Sequence, residues 1–360
     1  MANDPKTNTA LPIRIGLLYD FPQQTSCGGG GGLFPDALRL GLDEVAASGR
    51  IDREIEFVED QARGLPSGSE HDIKRAWAAL DEAGAIAIIG PSISDNALIA
   101  APLADASRLP AINYSGGERT RSEWMFHYQV GSLEEEPPIL ATRMVERGFH
   151  SAAVVFDQSP VGRRYAEYFE AARARLGLEV TGTASISSLA ESVDDVLTRL
   201  RAGNPDVLVY FGLGVSSRAV AVARMDLGWD VPVLSNSALM FGYARPDWRD
   251  GYGGWEYIDT VADDNERRAS LKKLSPHAAG GPIGCAAYDM GRLLGEGIAQ
   301  SDHLTRAGIA DGLRRAKQLP ATSGYEGTLM GFGNWEHAAL KGHYLVLREW
   351  RDGRSVQVAR

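Results

Sequence analysis

The chain has 360 residues, 44% hydrophobic and 23% charged, with a formal charge of −10 and a pI near 5.3. That length suits two domains of ordinary size. The acidic balance argues against a nucleic-acid partner, which needs a basic face, and no run of 18 apolar residues is present to insert directly into a membrane.

The opening MANDPKTNTALP lacks the basic start, apolar core and small-residue cleavage site of a signal peptide. Two compartments therefore stay open: the cytoplasm, or the periplasm for a chain whose signal has been removed. Residues 1–12 read as a disordered tail. Beyond them IRIGLLY (13–19), EIEFVED (54–60), AIAIIG (85–90) and LPAIN (109–113) predict strands. Between these, FPDALRLGLDEVAAS, SEHDIKRAWAALDEA and DNALIAAPLADAS carry apolar residues at helical spacing. This rhythm predicts right-handed βαβ units and a parallel sheet.

FHYQVGSLEEEPP (126–138) is extended and leads into a helix start, where Ser132 can cap and Glu134 to Glu136 suit the positive end of the dipole. A second series follows: SAAVVFD (151–157), LEVTGTASI (178–186), DVLVYFG (206–212) and VPVLSN (231–236). GGWEYIDTV (253–261) is extended, and a helical block is strongest in IGCAAYDMGRLLGEGIAQ (283–300). GTLMGFG and HYLVLREWRDGRSVQV close the chain, the latter with a DG turn between two alternating runs. A chain that builds one lobe, crosses to a second and returns has hinge architecture.

The two series correspond. LLYD ends at Asp20 and VVFD at Asp157; AIAIIG ends at Gly90 and DVLVYFG at Gly212; Asn113 and Ser115 have counterparts in Asn236 and Ser237. One lobe reads as a diverged copy of the other, the alternative being convergence on βα turn chemistry.

Ligands of open α/β sheets bind beyond the carboxyl ends of the strands, which here means the loops 20–33, 90–96, 113–118, 157–162, 212–217 and 235–242. In GPSISDN, Ser92 or Ser94 can cap the next helix, and Ser94 can also meet a ligand. In NYSGGE, where Asn113 and Tyr114 are also candidates, Ser115, Gly116 and Gly117 give either a small N–H-rich concavity suited to a carboxylate or simply a tight turn. Gln158, Val161, Phe211, Gly214, Asn236 and Ser237 are the candidates of the second series, and Ile283 opens the helical block. Tyr19, Phe21, Tyr114 and Phe211 stand at strand ends, placed either to stack on a ligand or to pack in the core.

Enzyme readings find little support. The glycine run Gly28–Gly32 is too long for a GxGxxG turn and lacks the Lys of a Walker loop. It reads as a flexible mouth, with Gly29 near the ligand, or as a slack connector. Neither a GxSxG elbow nor a nucleophile–base pairing occurs, and Asp20 and Asp157 are expected to cap loops. Cys27, Cys285 and the seven histidines show no CxxC, HxxxH or HExxH spacing, so no metal or cofactor is expected.

The order IRIGLL, EIEFVED, AIAIIGPSISDNALIAAP, LPAINYSGG, VVFDQSPVGRRYAEYF, DVLVYFG, VPVLSN and AAYDMGRLL resembles type I periplasmic binding proteins of the leucine/isoleucine/valine-binding group, over about residues 13–350. The resemblance implies an α/β chain of two doubly wound parallel-sheet lobes joined by a three-segment hinge. Residues 13–131 plus 262–328 would form the N-terminal lobe and 132–258 plus 331–358 the C-terminal lobe. It also implies the substrate-binding protein of an ABC transporter, with a small-molecule ligand and a membrane permease as partners. The alternative is a cytoplasmic ligand sensor acting through a regulatory protein, and below it an enzyme on a related scaffold.

Residue by residue, the family's serine that holds a ligand carboxylate falls on Ser94. Its N–H-donating loop falls on Ser115 to Gly117, with Gly117 where a threonine is usual. The acidic residue that grips a ligand ammonium falls near Ser237, which is uncharged. The aromatic walls fall near Gly29, Val161 and Gly214, all small or aliphatic. The resemblance so modified implies a roomier pocket for a polar carboxylate other than a standard α-amino acid.

Overall fold

The computed structural model describes residues 11–20, 33–240 and 245–358; residues 1–10, Phe21, Gly29 and the whole glycine run lie outside them. Five parallel strands form the first sheet: β1 (Ile13–Tyr19), β2 (Ile55–Gln61), β3 (Ala87–Ile89), β4 (Ala111–Asn113) and β5 (Met125–His127), in the order β2-β1-β3-β4-β5. Both of its faces are buried. Ile13, Ile15 and Leu17 point to one apolar cluster, whereas Leu18, Ile88 and Met125 point to another. Near-continuous apolar runs such as IRIGLLY are what a doubly covered parallel sheet requires. Helices α1 (Leu33–Ala46), α2 (Glu70–Glu82) and α3 (Ser94–Ser107) connect these strands. Ser69 starts α2 by accepting the Asp72 N–H.

The second sheet repeats this winding. Its parallel strands are β6 (Ser151–Asp157), β7 (Glu179–Ile186), β8 (Val207–Phe211), β9 (Val233–Ser235) and β10 (Trp255–Asp259), in the order β7-β6-β8-β9-β10. The counterparts read from sequence, β1 with β6, β3 with β8 and β4 with β9, therefore hold equivalent places in their sheets. Helices α4 (Glu136–Glu146), α5 (Pro160–Leu176), α6 (Asp194–Arg201) and α7 (Ser217–Asp226) serve this half. Two antiparallel strands, β14 (Val346–Arg351) and β15 (Arg354–Gln357), extend the sheet beyond β10. Their turn has positive φ at Asp352 (49°) and Gly353 (69°), the two-residue turn expected from RDGR.

After β10 the chain returns to the first sheet through α8 (Glu266–Leu274), α9 (Pro282–Ala299) and α10 (Arg306–Arg315). Helix α9 lies against α1 so closely that a Cβ on Gly41 would fall 2.1 Å from the Tyr288 carbonyl oxygen. Short strands β11 (Leu319–Pro320), β12 (Leu329–Met330) and β13 (Leu340–Lys341) make a small antiparallel sheet. Met330, Phe332, Ala339 and Leu340 pack in the same apolar cluster as Phe126 and Leu313. Residues 330–340 thus pack with the first sheet's core, whereas β14 and β15 of the same C-terminal stretch, which the sequence boundary assigned to the second lobe, extend the second sheet.

Candidate functional site

Two aspartates at equivalent strand ends shape the loops that face the opposite lobe. Asp20, just past β1, accepts four hydrogen bonds from the loop after β3 and the first turn of α3: from Ser92 N (2.8 Å), Ser92 Oγ (2.7 Å), Ile93 N (2.9 Å) and Asn96 Nδ2 (2.9 Å). Burial raises its carboxyl above the usual range while these donors oppose the shift. Asp157, past β6, likewise accepts from Leu213 N (2.7 Å) and Ser216 Oγ (2.5 Å) in the loop after β8. Each acid braces the loop of the neighbouring strand. The expected serine cap on α3 is corrected accordingly: the Ser92 hydroxyl serves Asp20, the N-cap position is Ile93, and Ser94 is already the first helical residue.

Freed from capping, Ser94 Oγ accepts the Gly116 N–H at 3.2 Å. A Cβ on Gly117 would lie 3.2 Å from the same oxygen, so Ser94, Gly116 and Gly117 lie together. The Gly117 N–H makes no hydrogen bond among the described residues, and the first-turn N–H groups of α3 have no intrahelical acceptor. Asn113 and Ser115 are otherwise engaged. Asn113 Nδ2 donates to Phe126 O (3.0 Å) and its Oδ1 accepts from Ser115 Oγ (2.8 Å) and Thr120 Oγ1 (3.2 Å), which stiffens the loop from within. Gly117 O lies closer to Thr120 Oγ1, at 2.6 Å, and shares that hydroxyl's one proton with Asn113.

Tyr114 is buried and stacks on Phe34 with ring centroids 4.8 Å apart, and Phe34 meets the half-buried Tyr19 edge-on at 6.2 Å. Phe34 escaped the sequence reading because it fits the apolar period of α1. Ile283 packs, half-buried, against the same cluster.

In the second lobe Phe211 is fully buried, stacked on Tyr165 at 5.5 Å and tilted to Phe169 at 5.4 Å, so its ring serves the core. Gly214 turns its loop at φ 80°, and its carbonyl accepts from Ser217 Oγ at 2.6 Å. Asn236 ties the ends of β8 and β9 together, donating to Gly212 O at 2.9 Å and accepting the Gly212 N–H at 3.3 Å. Gln158 is exposed and donates to Ser185 on the edge strand β7 at 3.3 Å. Val161, in the first turn of α5, is buried in one cluster with Ile93 of the first lobe. Burial pushes the nearby Asp95 up to about 6, opposed by the Val161 backbone and by Arg164 and Arg163.

Ser237 brings the main surprise. Its N–H donates to Glu136 Oε2 (2.7 Å) and its hydroxyl to Oε1 (2.7 Å), while Ser132 N (2.6 Å) and Tyr165 OH (3.1 Å) also donate to Oε1. Glu136 is fully buried among these neutral donors, and burial pushes its carboxyl up to about 7. The place around Ser237 is thus not without an acid, contrary to expectation. A Cβ on Gly131 would lie 2.1 Å from Ser237 Oγ, so the first crossing between the sheets needs glycine to pass this point. Beside it Glu134 pairs with Arg164 at 2.6 Å.

The profile described as "Periplasmic binding protein" matches residues 12–348, nearly the whole chain. The chain belongs to the periplasmic binding protein family. A search of curated proteins finds no match. Solved structures share the fold of this family member at low identity. A periplasmic binding protein type 1 from Bordetella pertussis superposes with a TM-score of 0.81 at 16% identity, covering 96% of this chain and 99% of that one. The branched-chain amino acid transporter substrate-binding protein LivJ from Streptococcus pneumoniae, in complex with isoleucine, gives 0.80 at 16% identity over 97% and 100%. The leucine-binding protein LivK from Thermotoga maritima gives 0.76 at 17% identity over 96% and 98%. Among the described residues no helix is long and apolar enough to cross a membrane, and no group of three or more His, Cys, Asp or Glu is placed to hold a metal ion.

Proposed function

We propose that this periplasmic binding protein is the solute-binding component of an ABC transporter, working outside the cytoplasm. It closes on a small organic carboxylate between its lobes and hands it to a permease without altering it. The observation that carries this reading is the donor-rich corner of Ser94 and Gly117 at the start of α3. Ser94 Oγ accepts one N–H and keeps its own proton to give, and the adjoining helix end carries positive partial charge. The two lobes are taken as first read, with the third crossing moved to residues 342–345. The ligand is read as other than a standard α-amino acid, because Val161 and Gly214 stand where aromatic walls are usual and Ser237 itself is uncharged.

A second reading, an α-amino acid, is favoured by Glu136, which sits directly behind Ser237. The relatives named in complex with isoleucine or as leucine-binding agree with it.

A thermal-shift series with aliphatic carboxylates, aromatic carboxylates, amides and amino acids separates the two, since a ligand bound only to the folded state raises the midpoint. Carboxylates without an α-amino group are expected to shift it. Ser94→Ala is expected to weaken their binding by about 1–3 kcal/mol. Shifts with leucine or valine alone would favour the second reading, and silence from every anion would sink the carboxylate site.

A further inference from the structure

Residues 93–95 put three consecutive side chains into three settings. Ile93 follows a first-sheet strand yet is 3% exposed within a second-lobe apolar cluster, alongside Leu133, Val161 and Leu213. Ser94 turns back to Gly116 in its own lobe. Asp95, 6% exposed in the first turn of α3, is influenced by Val161, Arg163 and Arg164 of α5, and α3 touches α5. The exchange is mutual. Met240, past β9, is 6% exposed within the first-lobe cluster that holds Tyr114, Tyr128 and Val130.

The loop that bears Ile93 has little freedom of its own. Asp20 holds the N–H groups of both Ser92 and Ile93, so Ile93 can leave its seat only if the lobes part. Each lobe therefore plugs the other with one apolar side chain, and parting them returns both to water.

We propose that Ile93 and Met240 are reciprocal latches, joined by Asp95, that bias the lobe equilibrium toward closure and couple it to whatever engages Ser94. Only the coupling to Ser94 rests on the carboxylate reading. The bias is a property of the chain alone and is testable without any ligand.

The test uses the full chain with Cys27→Ser and spin labels on Arg119→Cys and Glu191→Cys, both exposed and on opposite lobes; the buried Cys285 stays unlabelled. Pulsed electron spin resonance reads the separation with no solute added. Ile93→Ala and Met240→Ala should each move the ratio of short to long separations by roughly tenfold or more, and Ile93→Val by roughly two- to tenfold. Asp95→Asn should move it in the same direction. Circular dichroism melts establish that each variant is folded; should Ile93→Ala fail to fold, the milder Ile93→Val and Asp95→Asn carry the comparison. Unchanged distributions in folded Ile93 and Met240 variants would overturn the latch. A shifted distribution with no carboxylate binding supports the latch and sinks the carboxylate site. The reverse pairing overturns the latch alone.

Discussion

A carboxylate buried among neutral donors, as Glu136 is, makes stability depend on pH in a definite direction. Its folded pKa of about 7 lies above the ordinary 4.5. The folded state therefore holds the proton more tightly than the unfolded chain, and the group's contribution is complete below about pH 4.5 and lost as pH rises through 7. Asp95 and Asp157, each pushed by burial to about 6, act in the same direction over a lower window. His127, lowered by burial to about 3, acts oppositely: its contribution is lost as pH falls below 6.5. The difference between wild type and Glu136→Gln isolates Glu136. In urea titrations from pH 5 to 8 the wild type should lose stability relative to the variant, with a slope no steeper than about 1.4 kcal/mol per pH unit. Parallel curves would mean that Glu136 does not titrate there. The meeting of the Ser94 loop with the Gly116–Gly117 loop was legible in the sequence, because each loop follows one of two neighbouring strands, β3 and β4. Glu136 was not. In EEEPP it looks like one more acid at a helix start, and only the fold brings Ser237 and Tyr165, distant in sequence, onto its carboxylate.

Among the elements, the pairing of α1 with α9 shows how one substitution has two magnitudes. A Cβ on Gly291 would fall 2.2 Å from the Leu38 carbonyl oxygen, a backbone atom that cannot swing aside. Gly291→Ala should therefore cost about 1–3 kcal/mol by overpacking. At Gly49 a Cβ meets nothing within 4 Å, and only its φ of 73° resists. Gly49→Ala should cost about 1 kcal/mol. Denaturant midpoints of the two variants check the order; a Gly49 variant as damaged as the Gly291 variant would refute the packing account. Strands β1 and β6 match the predicted IRIGLLY and SAAVVFD end to end, because an apolar run bounded by polar residues leaves little choice of limits. The two-residue strands β11 to β13 could not be read in this way. Their partners define them, not their pattern, and Met330 and Phe332 would suit the core of either lobe.

For the whole molecule, the shared strand order of the two sheets makes the duplication a matter of topology as well as of short sequence matches. The lobes differ in what completes them. The first needs α9 against α1, and the second needs β14 against β10. A chain ending at residue 260 should thus lack both and show no cooperative thermal transition by circular dichroism; a sharp transition would mean that one lobe stands without its late element. The same arrangement bears on how the protein is made. Between the emergence of α1 and that of α9 from a ribosome, roughly ten to fifty seconds pass at ordinary rates of synthesis. Throughout that interval the face of α1 that carries Gly41 has no partner. The nascent chain stays unfinished until nearly its last residues appear, a state that a translocation channel accepts and a folded lobe would block.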